Sequence, residues 1–388
     1  MRKYSLVLNI LVVVLLAVAM MGCPTKKPDT DGEPSPEDGE KEVVKIGAIL
    51  PLTGDAASYG QDAKAGLDLA VHVLNSAAGV SGKKLQVIYE DSKADPREGT
   101  NAIRKLIEVD KVQVIVGEMA SSVTLAIAPI AEENKVVLIS PGSSSPLITY
   151  AGDYIFRTDV SDTFEGKAMA ESAYNTLSLR KVAIIYINND YGVGVNAVFK
   201  EEFQRLGGII AGSESFQQEA TDFRTQISKV SNASPDGLYI IGYKEIIPLL
   251  KQIREMGLQV QILSTALFED PEIIEKLGTA ADGVIYMSRD YDPESKKDNV
   301  HAFLTAFEEM YQKKPDFYFA AQAYDAMMIL AIVMEKSGYQ GANIKDGLYA
   351  VEGYNGVSGL MTFDSNGDVI KSMKLRTVRN GLFVDYLL

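Results

Sequence analysis

The feature that most limits how this chain can fold is a change of hydrophobic period that recurs along it. From Val43 onward, short apolar runs alternate with stretches whose apolar residues recur roughly every three to four positions. "VVKIGAIL" (43–50), "KLQVIYE" (84–90), "VQVIVG" (112–117) and "VVLIS" (136–140) read as strands. Between them, 59–77, 96–109 and 122–133 read as helices. Ala63, Leu67, Ala70, Val71 and Leu74 share one face of the first, and Asp95 with Pro96 opens the second. Strand and helix in strict alternation demand a parallel sheet covered by helices on both faces. The order then restarts, with strands at 181–187, 208–216, 237–242, 259–265 and 283–287 and helices at 193–206, 222–231, 244–256 and 271–277. Two longer helices follow at 295–313 and 318–337. "GLMTFDSNGDVI" and "KLRTVRNGLFV" close the chain as a strand, a turn and a final strand. The expected fold is α/β, two doubly wound parallel-sheet lobes. Ligands of such sheets bind beyond the carboxyl ends of the strands. Two facing units therefore place the ends of 112–117 and 136–140 on one wall of a cleft, and those of 181–187, 237–242 and 259–265 on the other.

The segment before Val43 has a different character. Arg2 and Lys3 precede an apolar run from Leu6 to Ala19, about 14 residues, which is short for a membrane span and suited to a signal-peptide core. Two exits compete. Ala17-Val18-Ala19 fits small-x-small cleavage, whereas "MMGC" resembles a lipobox with Gly22 before Cys23, although Met20 stands where leucine is usual. The lipobox is favoured, because lipid attachment explains the single cysteine of an exported chain. Residues 1–22 are then signal peptide. Residues 23–42 are a lipidated Cys23 and a tether rich in Pro, Asp, Glu and Gly that cannot bury enough surface to order itself.

Charge and composition remove several functions. Thirty-eight basic against 52 acidic residues give a net charge of −14, which repels phosphate backbones, so no nucleic-acid partner is expected. His72, His301 and Cys23 cannot build a His/Cys metal cluster, and no metal or other cofactor is expected. "DSNGD" (364–368) imitates a calcium loop but lacks the remaining ligand positions and reads as a turn. Gly192-x-Gly194-x-x-Ala197 imitates a dinucleotide fingerprint. The strand before it ends near Ile187, however, and "NNDY" intervenes where the fingerprint needs its first glycine. Neither "SSVT" nor "GSSSP" is a nucleophile elbow, and a Ser-His-Asp triad would have to recruit His72 or His301, so no catalysis is expected.

Two segments can hold an anion. In "GEMASSVT" (117–124) a strand ends and Ser121 and Ser122 open a helix, whose first N–H groups are free and carry partial positive charge. In "SPGSSSP" (140–146) Gly142 permits close backbone approach, while Ser143 and Ser144 offer hydroxyls and amides. Hydrogen bonds to a charged group contribute about 1.5–3 kcal/mol each, so three or four can offset the desolvation of one carboxylate. A capped helix and a plain turn remain the competing explanation.

Taken in order, "IGAILPLTGDAASYGQDAKAGLDLA", "GEMASSVTLAIAPIAEENKVVLISPGSSSP", "RTDVSDTFEG", "YINNDYGVG" and "FDSNGD" resemble the branched-chain amino-acid binding proteins of ABC transporters. These are type I periplasmic binding proteins, and the resemblance spans about 43–388. It implies three hinge crossovers, near 157, 288 and 370, and hence one lobe of 43–157 plus 288–370 and another of 158–287 plus 371–388. It also implies that Ser121 and Ser144 bind a ligand carboxylate, with the backbone of Gly142 and Ser143 nearby and Tyr59, Tyr191, Tyr243 and Phe319 around the pocket. Leucine-binding members pair the ligand ammonium with a glutamate on the second lobe. Here that position falls near Ala266, which leaves Glu269, Asp270, Asp162 and Glu245 as alternatives. The implied function is capture of a small carboxylate-bearing ligand, most readily a branched-chain or other apolar amino acid, by an extracytoplasmic monomer. It would be held to the membrane by a lipid and would serve an ABC permease and its ATPase subunits. An amide, urea or aromatic or organic acid as ligand, or a sensory role, stands as the alternative.

Overall fold

The computed structural model describes residues 43–387 apart from 55 and 290. Cys23, the signal peptide and the tether therefore lie outside the described residues. The chain opens with β1 (Val43–Leu50), α1 (Ala57–Ser76), β2 (Lys84–Asp91), α2 (Pro96–Glu108), β3 (Val114–Gly117), α3 (Ser121–Asn134), β4 (Val137–Ser140) and β5 (Ile155–Arg157). These strands form a five-stranded sheet in the order β2-β1-β3-β4-β5, parallel throughout. Strands covered on both faces need unbroken apolar sequence, and all four residues of β3 and of β4 are buried. Asp95 caps α2, accepting from the amides of Arg97 and Glu98, with Pro96 at the first position.

A second unit follows: α4 (Asp162–Glu171), β6 (Lys181–Ile187), α5 (Asp190–Arg205), β7 (Ile209–Phe216), α6 (Arg224–Asn232), β8 (Gly237–Ile241), α7 (Ile246–Glu255), β9 (Gln261–Ser264), α8 (Pro271–Leu277) and β10 (Ile285–Arg289). Its sheet runs β7-β6-β8-β9-β10, repeating the order of the first, and β13 (Met373–Arg379) and β14 (Leu382–Asp385) extend it as antiparallel strands. Between β10 and β13 the chain returns to the first sheet. It makes α9 (Asp298–Tyr311), α10 (Phe319–Ser337), α11 (Gly341–Tyr349) and the hairpin of β11 (Tyr354–Gly356) and β12 (Gly359–Met361), and α10 packs along α1. It then crosses back as β13 (Met373–Arg379) and β14 (Leu382–Asp385).

The result is two α/β lobes with parallel sheets, as the alternation of period demands. Several short elements differ from the sequence-based expectation, among them α4, for which none was expected, and the closing strand, which is the antiparallel pair of β13 and β14. β5 has only three residues, α11 is a polar-rich helix of nine, and the segment expected as one strand near 359 is a hairpin. Each is too short for its period to stand out.

A buried ion pair joins two crossing segments. Arg157, at the end of β5 and fully buried, donates to both Asp368 oxygens from Nε (2.6 Å) and Nη2 (2.7 Å), and to the Ser145 carbonyl from Nη1 (2.9 Å). In the "DSNGD" turn, Asp364 accepts from the amides of Asn366 and Asp368. Both of its acids are thus engaged in structure, and no cluster able to hold a metal occurs among the described residues.

Candidate ligand-binding site

The cleft lies where the strand order reverses in each sheet, between β1 and β3 on one side and β6 and β8 on the other. This is where doubly wound sheets bind ligands. Residues from the carboxyl ends of nearly every central strand converge there. Tyr59 comes after β1, Ala120 and Ser121 after β3, Gly142 and Ser144 after β4, and Asp159 after β5. Tyr191 follows β6, Tyr243 follows β8, Leu267 follows β9, and Arg289 ends β10. Glu165 of α4 and Tyr318 and Phe319 at the start of α10 complete the lining. The lobes meet closely around it. The space left for water-sized contents is about 20 Å³, near the room one water needs, so any larger ligand enters by separation of the lobes.

The lining has an aromatic side and a charged side. Tyr191 and Tyr243 stack with centroids 5.5 Å apart, and Tyr59 meets Tyr243 edge-on at 6.3 Å and Phe319 at 5.5 Å. Tyr191 donates to Thr265 Oγ1 (2.8 Å), and Tyr243 accepts from Asn189 Nδ2 (3.3 Å), which fixes both rings. On the charged side, Arg289 donates from Nε to Asp159 Oδ1 (2.7 Å) and from Nη1 to Glu165 Oε2 (2.5 Å). Burial works against the guanidinium charge, but Asp159 and Glu165 outweigh it and hold the Arg289 pKa well above its ordinary value.

Asp162 stands beside this pair. Its Oδ2 accepts from Ser144 Oγ (3.0 Å), and its buried Oδ1 has no partner. Burial, then the Glu165 charge, pushes its pKa well above the ordinary carboxylate range. A cation placed at Oδ1 would reverse that balance. No side chain caps α3, which starts at Ser121; the Val123 amide turns to the Ala120 carbonyl (3.0 Å), so the Ser121 and Ser122 amides are the ones unclaimed by a capping group. Glu118, just before this turn, accepts from Ser92 Oγ (2.6 Å) and the Ala120 amide, and burial pushes its pKa up to about 8.

Seven of the eleven residues expected at the site line the cavity: Ser121, Gly142, Ser144, Tyr59, Tyr191, Tyr243 and Phe319. Four lie elsewhere, for identifiable reasons. Ser122 faces across the cleft, where its Oγ accepts from the Asp190 amide of the other lobe (3.2 Å). Ser143 is turned inward, with its hydroxyl on the Glu118 carbonyl (2.8 Å) and Thr124 Oγ1 (2.7 Å). Ala266 is buried and spends its amide on Glu165 Oε1 (2.8 Å). Glu269 points to Arg376 and Ser288. Of the other acids considered for an ammonium, Asp270 caps α8 and pairs with Lys244, and Glu245 accepts from the Glu219 and Tyr243 amides (both 3.0 Å).

Sequence reasoning missed Asp159, Glu165, Arg289 and Tyr318. The signal for the two acids was present in "RTDVSDTFEG", three acids within seven residues after a buried strand. Arg289 had none, because an arginine at a strand end is ordinarily a solvated residue.

Fold and site together define a two-lobed protein that encloses a small molecule between its halves. A family model described as "Periplasmic binding protein" matches residues 43–381, and the chain belongs to that family. A leucine-binding protein from Thermotoga maritima superposes with a TM-score of 0.83 at 34% identity, covering 89% of this chain and 98% of that one. The leucine-, isoleucine-, valine-, threonine- and alanine-binding protein of Pseudomonas aeruginosa is 28% identical over 333 residues, 84% of this chain and 87% of that protein. In fold alone, a solute-binding protein of an ABC transporter from R. palustris, solved with benzoate, matches with a TM-score of 0.80 at 22% identity, covering 88% of this chain and 95% of that one.

Proposed function

We propose that this protein is the extracytoplasmic solute-binding component of an ABC importer and that its ligand is an α-amino acid. The carrying observation is that Asp159 and Glu165 line the same cavity as Ser121 at the start of α3, Gly142 and Ser144, while Asp162, held on the Ser144 hydroxyl, keeps a buried Oδ1 without a partner. An ammonium at Asp162 and a carboxylate at the α3 amides satisfy both ends at once. The names of the amino-acid-binding relatives support the same reading. Lobe closure would bury the ligand and present the closed form to a membrane permease whose ATPase subunits drive transport. Cys23 would carry the lipid that keeps the protein, as a monomer, near that permease.

An aromatic acid is the second reading, favoured by the Tyr59, Tyr191, Tyr243 and Phe319 rings. A benzoate-like ligand would leave Asp162 Oδ1 without a donor. A melting screen of the purified protein against amino acids, aromatic acids and sugars separates the two. Ligand at a hundred times its dissociation constant adds about 2.7 kcal/mol, and the shift should appear with amino acids. Shifts confined to aromatic acids or sugars would reject the proposal.

A further inference from the structure

The floor of the cavity holds hydrogen-bonding capacity that an aliphatic side chain would leave unused. Tyr318 lines the cavity, is only 5% exposed, and its hydroxyl has no partner. The Arg289 guanidinium lies 5.8 Å from the Tyr318 ring centre. Its acceptors are the two Asp159 oxygens, Glu165 Oε2 and Met373 Sδ, while a guanidinium carries five N–H groups. One Nη2 N–H is therefore left over. One helical turn beyond Tyr318, Gln322 donates to Asp159 Oδ1 (3.1 Å), and its buried Oε1 has no partner. Tyr318 and Arg289 thus offer the cavity two donors, with the Tyr318 hydroxyl oxygen as an acceptor, on elements other than the loops that face the α-carboxylate.

A buried hydroxyl left without a partner is destabilising. A second carboxylate on the ligand would meet Asp159 and Glu165, and a second ammonium would meet Arg289. A neutral group that both donates and accepts fits this set. We propose that the amino acid taken here carries a hydroxyl or carboxamide on its side chain, received by Tyr318 and Arg289. The proposal rests on the amino-acid reading of the site.

Calorimetric titration with near-isosteric pairs tests it: threonine against valine, asparagine against leucine, glutamine against methionine. In at least one pair the polar member should bind at least about tenfold tighter. Tyr318→Phe should cut that ratio to about threefold or less while the apolar member's affinity changes less than about threefold. An equal or reversed ratio in every pair of the unaltered protein overturns the proposal but leaves the amino-acid reading standing. A ratio unmoved by Tyr318→Phe also overturns it. Failure of every amino acid to bind rejects the amino-acid reading and this inference with it.

Discussion

Two buried carboxyl groups differ in what they contribute. Asp162 accepts one hydrogen bond from Ser144 and leaves its buried Oδ1 without a partner, whereas Glu118 is fully engaged beneath the loop that presents Ser121. Asp162→Asn keeps the Ser144 bond and removes only the charge offered to an ammonium. Amino-acid affinity should fall about 10- to 100-fold, the loss of one charged hydrogen bond. The ligand-free protein should not lose stability, because burial already disfavours the charged form. Calorimetry and a denaturant titration read the two effects separately. Glu118 predicts a pH dependence instead. Its pKa rises from the ordinary 4.5 to about 8, so the folded state keeps a proton that the unfolded chain sheds. That stabilising contribution is whole below about pH 4.5 and is lost as pH rises towards 8. Glu118→Gln should flatten the fall of the denaturation midpoint across this window. An unchanged slope would mean that the carboxyl is ionised when folded.

The glycines of "YGVGVNA" acquire a structural explanation at the level of elements. A Cβ on Gly192 would lie 2.1 Å from the Ile187 carbonyl oxygen, so this glycine lets α5 start hard against the end of β6. A Cβ on Gly194 would lie 2.7 Å from Pro146 Cδ of the facing lobe. Gly194 therefore sets how closely the lobes approach. Gly194→Val should penalise the closed form alone, weakening ligand at least about tenfold with little change in the ligand-free denaturation midpoint. Affinity that survives the substitution would show that the lobes need not touch there. The dinucleotide-like spacing was thus legible as a pattern, but its cause was not. A contact between residues 146 and 194 belongs to tertiary geometry, which no local period encodes. The α/β alternation was legible because strands such as 114–117 and 137–140 are buried on both faces and must be apolar. The nine-residue α11 lacks that compulsion.

At the scale of the whole molecule, the repeated strand order is what creates a site. Each sheet opens at its own switch point, and the lobes set those two openings face to face. One wall of the cavity was readable from sequence because serines and glycine cluster in the short loops after β3 and β4. The charged floor was not. Arg289, Asp159 and Tyr318 are separated by 130 residues between the first two and come from β10, the segment after β5 and the start of α10. Only the crossings between lobes bring them together. The central claim is that this assembled cavity grips a carboxylate and an ammonium at once. Calorimetric comparison of each amino acid that binds with its deamino counterpart, such as leucine with 4-methylpentanoate, tests it most directly. The deamino acid should bind at least about a hundredfold more weakly, roughly 2.7 kcal/mol. Equal affinity of the two would contradict the account.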